Sequence, residues 1–290
     1  PTHKDSAEAG YAALLTYDAL FQKDKTKQNK IFQQKRVASA LKFSQIFSQD
    51  ARMPLVLLQS AQQFFEWKDY PNAIQAAYQL ADNIQLDRKT QRTAWTIIGH
   101  SHFGDKQYAN AEQAYLTLLT MLSKNSKQTT GIQDSIAASI YKQGEAKRMA
   151  GNHLQAAHHF TRLGNVVPNS PTRIIAEYDA TTAFIELKDW PQAVSLLEKF
   201  RKRYPKQKKW QQGVSEKLAL AYSQNGNNTF AAKEMIALSS NTKEPKRKRD
   251  LMWRAAELYQ DAGQKKEAIS IYKSYVKLFP KPLERSIELQ

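Results

Sequence analysis

The sequence of 290 residues contains no cysteine, which excludes disulfides, thiolate metal sites and cysteine nucleophiles. Its ten glycines form no phosphate-binding loop, and its serines and acids show no nucleophile–base arrangement. The longest nearly unbroken apolar stretch, from Met53 to Leu58, is much shorter than the roughly 18 to 20 residues of a membrane-spanning helix. The sequence therefore predicts no membrane span in this segment, no cofactor and no catalytic activity.

Six histidines are the remaining candidates for metal binding. His100 and His102 are two residues apart, and His158 and His159 are adjacent, so on a helix each pair diverges instead of meeting at one ion. No acidic or cysteine ligand completes a set. We expect these histidines to pack between helices or to face solvent, and we predict no metal site.

A recurring turn followed by alanine divides most of the chain. Alanine stands at the same place in KDYPNAI, KQYANAE, GNHLQAA, KDWPQAV, NTFAAKE and QKKEAIS. These six anchor alanines are Ala73, Ala111, Ala156, Ala193, Ala231 and Ala268, and successive anchors are 38, 45, 37, 38 and 37 residues apart. A period of this length fits a pair of helices and a connector.

Residues at fixed distances from the anchors share their chemistry. Four and seven residues after each anchor the side chains are apolar or aromatic, which makes one stripe on a second helix, helix B. Twelve residues before each anchor the residue is small: Ala61, Gly99, Gly144, Thr181, Ala219 and Ala256. These small residues predict that helix B closely crosses a preceding helix A. Proline lies twelve residues after three of the anchors, where it would end helix B.

This combination of a small residue, a turn aromatic, an alanine and a later proline resembles the tetratricopeptide repeat (TPR), whose usual period is about 34 residues. The endings FRKRYP and VKLFP are similar to those of envelope TPR proteins of Gram-negative bacteria, including an outer-membrane assembly lipoprotein. The strings SIYKQGEAKRMAG and LKDWPQAV resemble a long periplasmic TPR protein labelled as a TonB-system component. The resemblance implies an all-α, right-handed α-solenoid of TPR-like hairpins in the bacterial periplasm or cell envelope. A cytoplasmic location also fits the absence of cysteine.

The anchors predict six TPR-like repeats within 51–290, at about 51–86, 87–129, 130–170, 171–206, 207–244 and 245–282, followed by the start of a further helix. Residues 1–50 fall outside the pattern and predict a divergent N-terminal hairpin with helices over 6–22 and 30–48. The 45-residue step predicts an insertion from Ser123 to Asp134, whose polar composition indicates a loop.

TPR superhelices line their concave side with helix A, and we predict the groove from the positions fifteen and eleven residues before each anchor. These positions hold Leu58 and Gln62, Thr96 and His100, Tyr141 and Glu145, Tyr178 and Thr182, Glu216 and Leu220, and Trp253 and Glu257. The set mixes aromatic residues with acids, which suits an extended peptide with apolar or basic side chains. The alternative, in which the tyrosines and the tryptophan pack between neighbouring helices, stays open.

A second candidate surface is basic. The chain has 43 lysines and arginines against 27 aspartates and glutamates, a formal net charge of +16. Two clusters in equivalent connectors of successive repeats predict a basic edge, which consists of Arg201, Lys202, Arg203, Lys206, Lys208, Lys209, Lys246, Arg247, Lys248 and Arg249. This edge would fit nucleic acid, a lipid headgroup or an envelope polysaccharide, or it could simply be solvated. The main prediction is thus a non-enzymatic scaffold for a protein or peptide partner, and an anion-binding module is the alternative.

Overall fold

A computed structural model describes residues 4–23, 29–123 and 127–280 of the protein. All regular secondary structure in these ranges is helical, which confirms the predicted all-α class. The described residues form α1 (Lys4–Lys23), α2 (Asn29–Ile46), α3 (Met53–Glu66), α4 (Tyr70–Ala81), α5 (Arg88–Gly104), α6 (Tyr108–Thr120), α7 (Lys127–Met149), α8 (His153–Val166), α9 (Thr172–Glu186), α10 (Trp190–Arg203), α11 (Lys208–Gln224), α12 (Asn228–Asn241), α13 (Pro245–Asp261) and α14 (Lys265–Leu278).

The chain divides into two compact units, an N-terminal unit Pro1–Gln143 and a C-terminal unit Gly144–Gln290. Within each unit successive helices pack together, as α4 does on α5 and α12 does on α13. From α3 onward the odd-numbered helices occupy the position of helix A and the even-numbered helices that of helix B. The six predicted repeat ranges themselves remain a prediction.

A residue in the left-handed conformation forms the tip of each turn between helix A and helix B. Five residues before each anchor, φ lies between 56° and 75°, at Lys68, Lys106, Gly151, Lys188, Gly226 and Gly263. The N–H of the next residue donates across the turn to the carbonyl nine residues before the anchor, at 2.8–2.9 Å in all six hairpins. This pairing satisfies a carbonyl at the end of helix A. Glycine adopts this conformation freely, whereas it costs lysine about 1–2 kcal/mol.

Prolines mark the beginnings and ends of several helices B. Pro71 and Pro191 lie in the first turns of α4 and α10, where a backbone N–H has no helical partner in any case. Pro168, Pro205 and Pro280 each stand two residues after the last residue of a helix B. The prediction that these three prolines end helix B is confirmed.

The anchor alanines lie in the hydrophobic core. They are 0% exposed in five repeats and 3% exposed in the sixth. The side chains seven residues later are all buried, and those four residues later are buried in the first four repeats. Met235 and Tyr272, the last two at that position, are half-buried. The stripe that the sequence predicts on helix B therefore faces inward along nearly its whole length.

The small residue on helix A lies against the side chain four residues after the anchor. A Cβ atom at Gly99 would stand 2.5 Å from a ring carbon of Tyr115, and a Cβ atom at Gly144 would stand 2.5 Å from a ring carbon of Phe160. Both rings are buried. The predicted close crossing is confirmed in these two hairpins, where glycine occurs opposite a buried aromatic ring.

The prediction of a loop from Ser123 to Asp134 is wrong over most of its length. Helix α7 begins at Lys127 and has 23 residues. The extra residues lengthen helix A by about two turns instead of forming a loop. The stretch is polar, but Thr129 is buried and its hydroxyl donates to the Ser123 carbonyl at 2.6 Å, while Ile132 is half-buried. One face of the segment therefore packs against the protein.

The two helices predicted before residue 50 are present as α1 and α2. Their contact centres on Leu14, Ala40 and Phe43, all buried together with Val56 of α3. The predicted start of a further helix after Pro282 lies outside the described residues.

Candidate binding grooves

In the N-terminal unit, the predicted groove residues Thr96 and His100 line a pocket between α5, the end of α6 and the start of α7. Leu118, Leu122 and Ile132 supply apolar walls. The pocket has a volume of 520 Å³, within the range of roughly 300–1,000 Å³ that is usual for ligand pockets. The first turns of α7, which the sequence analysis assigned to a loop, form one of its sides.

His100 is held in this pocket by a hydrogen bond between its Nδ1 and the Tyr115 hydroxyl at 2.6 Å. The surrounding protein atoms lower the pKa of His100 and raise the pKa of Tyr115, because both are partly withdrawn from water. The lowered pKa of His100 favours its uncharged imidazole. With Nδ1 engaged by Tyr115, Nε2 is its remaining hydrogen-bonding atom.

In the C-terminal unit, Glu216 and Leu220 line a pocket of 340 Å³ between α11, α12 and α13. Met235, Leu238 and Leu251 are among its apolar lining residues. At its rim Glu216 accepts a hydrogen bond from Gln212 at 3.0 Å and forms an ion pair with Arg247. The pKa of Glu216 is lowered by the bond from Gln212 and by Arg247.

Both pockets use the same positions of the repeat. Each is lined by the residues fifteen and eleven positions before one anchor alanine and by the residue seven positions after it. The residue twenty-one positions before the next anchor alanine also lines each pocket. In the N-terminal unit these positions hold Thr96, His100, Leu118 and Ser135, and in the C-terminal unit they hold Glu216, Leu220, Leu238 and Arg247. The two pockets, one in each unit, thus share these four positions, and their remaining lining positions differ.

The other predicted groove residues have different surroundings. Leu58 packs partly buried against the core of the N-terminal unit, while Gln62 is exposed. Tyr141, in the same unit, is half-buried. In the C-terminal unit Glu145 lies 3.8 Å from Arg148.

Tyr178 packs between neighbouring helices. Its ring centroid lies 4.8 Å from that of Trp210 on α11 and 5.8 Å from that of Phe200 on α10. The Lys217 ammonium group stands over the same ring at 4.1 Å and donates to the Thr182 hydroxyl. Burial lowers the pKa of Lys217 to about 8. Tyr178 and Thr182 therefore help to join α9 to α11.

Trp253 and Glu257 form a second intramolecular arrangement. The Trp253 Nε1–H donates to a Glu257 oxygen at 2.8 Å, and Arg254 binds the other Glu257 oxygen at 3.1 Å. The Trp253 ring is edge-on to Tyr272 and Tyr275 on α14, with centroids 5.4 and 5.5 Å apart. The packing alternative for these aromatic residues is thus supported by their contacts.

The basic edge is partly neutralised by carboxylates. Arg201 forms a two-pronged pair with Glu234, both N–O distances being 2.7 Å, and this pairing raises the arginine pKa. Arg203 pairs with Glu177, and Arg247 pairs with Glu216. Lys202, Lys206, Lys208, Lys209 and Lys246 are exposed, whereas Lys248 and Arg249 are partly covered. Nothing in these contacts supports a polyanion as the partner.

Sequence reasoning missed two cations that line the N-terminal pocket. Lys89 and Arg92 precede Thr96 by seven and four residues on α5, and all three line the pocket. Both residues lie on the same face of α5 as Thr96, so extending the predicted groove positions toward the start of the helix would have identified them. Lys217 was missed because its packing depends on the contact between two repeats.

No three His, Asp or Glu side chains in the described ranges come close enough together to hold a metal ion. Among the helices of the described residues, none combines the length and apolarity required to cross a bilayer.

Several solved structures are similar to this chain at low sequence identity. The TPR2AB domain of yeast Sti1, in a complex with pHSP90, is 13% identical, with 94% of this chain and 99% of that one covered and a TM-score of 0.37. A TPR protein from Parabacteroides merdae is 11% identical, with coverages of 96% and 98% and a TM-score of 0.34. The type IV pilus biogenesis factor PilW is 14% identical, with coverages of 83% and 100% and a TM-score of 0.36. Scores below 0.5 mean that the chains do not superimpose as wholes.

No curated protein sequence matches this chain. A family model does match, over residues 133–282, and its description is YfiO, outer membrane lipoprotein. The matched segment runs from within α7 to just beyond α14 and includes four of the six anchor alanines. Because this segment is more than half of the chain, the protein, with its TPR-like repeats, belongs to the YfiO family.

Proposed function

We propose that this protein is a non-catalytic scaffold of the bacterial cell envelope that holds an extended peptide segment of a partner protein in the grooves between successive hairpins. The TPR-like fold and the YfiO family are of the interaction-scaffold type, and such proteins are generally not enzymes. The family description, outer membrane lipoprotein, supports the envelope location.

The observation that carries the proposal is the recurrence of a pocket at the same repeat positions in both units. A gap that arose from imperfect packing would differ from one hairpin to the next, whereas these two share four positions. Both also combine apolar walls with a few polar groups at the rim, which is the usual composition of a peptide-binding groove. The shared positions therefore support peptide binding in grooves between hairpins.

Site-specific photocrosslinking tests this proposal. A photoreactive amino acid is placed at Thr96 or at Leu220, one in each pocket. Matched controls carry it at Ile84, which is 87% exposed, and at Met149, which is 85% exposed, neither of which lines a pocket. We expect both groove positions to crosslink the same envelope protein in cells of the native host, and the controls to give much less of that product. Equal yields from controls and groove positions would contradict the proposal.

A binding measurement follows from the crosslink. The crosslinked segment of the partner, made as a peptide, should bind the purified chain, and Leu220→Glu should weaken binding because it places a charge in an apolar wall. Cell fractionation of the native protein should find it with the envelope. Recovery in the cytosol alone would contradict the proposed location.

A further inference from the structure

The pocket of the N-terminal unit has a chemistry that the groove positions alone do not predict. Lys89 is exposed and Arg92 is partly exposed, and both line the pocket that Leu118, Leu122 and Ile132 wall with apolar side chains. Its lining contains no aspartate or glutamate. Positive charge and apolar surface therefore meet at one site.

Lys89 and Arg92 differ from several arginines of the protein, which are paired with carboxylates. In the C-terminal pocket Arg247 pairs with Glu216, and Arg254 at the same pocket pairs with Glu257. Within the described ranges, neither Lys89 nor Arg92 is in an ion pair. Their charges are thus available to a ligand.

The nearest acid in the sequence has another role. The Asp87 carboxylate caps α5, accepting hydrogen bonds from the backbone N–H groups of Lys89 and Thr90 at 2.9 and 3.0 Å. Its second oxygen accepts from the Thr90 hydroxyl at 2.7 Å. These bonds lower the pKa of Asp87, the Thr90 hydroxyl contributing most. Asp87 is therefore directed to the helix terminus and not to the pocket cations.

The polar groups between the cations and the apolar wall suit a peptide backbone. The hydroxyls of Thr93 and Thr96 donate to the carbonyls of Lys89 and Arg92 at 2.9 and 2.8 Å. Their oxygens can still accept hydrogen bonds from the N–H groups of a bound chain. Burial lowers the pKa of His100 and so favours its uncharged form, which offers a hydrogen-bonding group to the pocket.

We propose that this pocket binds an acidic segment of the partner protein, with an aliphatic side chain against Leu118, Leu122 and Ile132 and a carboxylate between Lys89 and Arg92. The charge complementarity of an unpaired cationic rim and an acidic peptide carries the assignment. It rests on the proposed peptide-binding function and specifies the peptide chemistry for this pocket. The sequence favoured a peptide with apolar or basic side chains, and the proposal differs from it in replacing the basic side chains by acidic ones.

Selection from a random octapeptide library displayed on phage tests the proposal. The full chain is the bait, and the double variant Lys89→Gln with Arg92→Gln serves as a second bait in a parallel selection. The matched control removes the same charge elsewhere, with Lys206→Gln and Lys208→Gln on the exposed basic edge. Circular dichroism checks that the three proteins keep the same helix content.

We expect the unchanged chain and the control to enrich peptides in which Asp or Glu stands near Leu, Ile or Val. An enriched peptide should bind the double variant about tenfold more weakly, since each exposed charge contact contributes up to about 1 kcal/mol. Its affinity should also fall as salt is raised, because the contacts are near the surface. The same peptide with its Glu replaced by Gln should bind the unchanged chain about tenfold more weakly than the original peptide does.

Three outcomes would overturn the proposal: no enrichment, enrichment of basic peptides, or an equal loss in the control variant. The result can be separated from that of the scaffold proposal. If the photocrosslinker at Thr96 captures a partner but charge changes have no effect, the acidic specificity fails and the scaffold proposal stands. If neither groove position crosslinks a partner, the scaffold proposal fails.

Discussion

The glycine at the crossing of α7 and α8 allows a sharp test of the packing argument. Gly144→Ala would place a methyl group 2.5 Å from one ring carbon of Phe160 and 2.7 Å from another. Phe160 is 0% exposed, so its ring cannot relieve the contact by turning into solvent. Alanine gains about 0.5–1 kcal/mol over glycine in a helix interior, and overpacking costs about 1–3 kcal/mol. The net expectation is a loss of about 1 kcal/mol in the free energy of unfolding, within a range of about 0 to 2.5 kcal/mol.

A second glycine of the same helix supplies the control. A Cβ atom at Gly131 would meet no atom within 4 Å. Gly131→Ala should therefore raise the free energy of unfolding by about 0.5–1 kcal/mol, which is the advantage of alanine over glycine within a helix. Urea titrations followed by circular dichroism would measure both variants against the parent. Their slopes should match that of the parent, and the two midpoints should shift in opposite directions.

A compensating change tests whether Phe160 is the cause. The fourth repeat places Leu197 at the position of Phe160 and Thr181 at the position of Gly144, so leucine is compatible with a larger residue there. Adding Phe160→Leu to Gly144→Ala should recover about 1 kcal/mol relative to the sum of the two single changes. If Gly144→Ala stabilises the protein as much as Gly131→Ala does, the steric reasoning is refuted.

Two further predictions concern charged groups of the C-terminal unit. Because burial lowers the pKa of Lys217 to about 8, the unfolded chain binds more protons between pH 8 and the usual lysine range. The free energy of unfolding, measured by urea titration, should therefore rise with pH between about 8 and 9.5, below the range in which tyrosines ionise. Lys217→Met should abolish this rise. A rise that persists in the variant would mean that another group causes it. Glu234→Gln, which breaks the two-pronged pair with Arg201, should cost about 1–3 kcal/mol, whereas Glu216→Gln at the exposed pair with Arg247 should cost less than about 1 kcal/mol. Equal losses in the same titrations would contradict the ranking by burial.

Most of the hairpin architecture could be predicted from the sequence, because the core residues recur at regular spacings along the chain. The anchor alanines and the small residues of helix A are buried, and the three prolines follow helix B, as the pattern predicts. The inserted segment before Asp134 could not be assigned in the same way. Its composition is polar, and only its packing against the preceding hairpin shows that one face is covered.

Four of the residues that the sequence assigns to the groove line pockets, but the sequence does not show which side chains at these positions are free, and the groove itself stays a prediction. Thr96 and Leu220 do line pockets. Tyr178 and Trp253 occupy equivalent positions, yet each stacks on aromatic residues contributed by later helices. Whether an aromatic side chain at a groove position is available depends on such partners, and these are set by contacts across the repeat interface.

The six turns with the same backbone conformation make the connection between helix A and helix B interchangeable. Glycine occurs at three of the tips and lysine at the other three, with the same returning hydrogen bond. A chimaera that joins the first half of one hairpin to the second half of another would therefore meet no obstacle at the junction. Its success would depend on the helix faces: Ala61 of the first repeat, joined to the helix that carries Tyr115, would bring a methyl group against that ring. Recombination within this array is thus limited by side-chain fit and not by the chain connection.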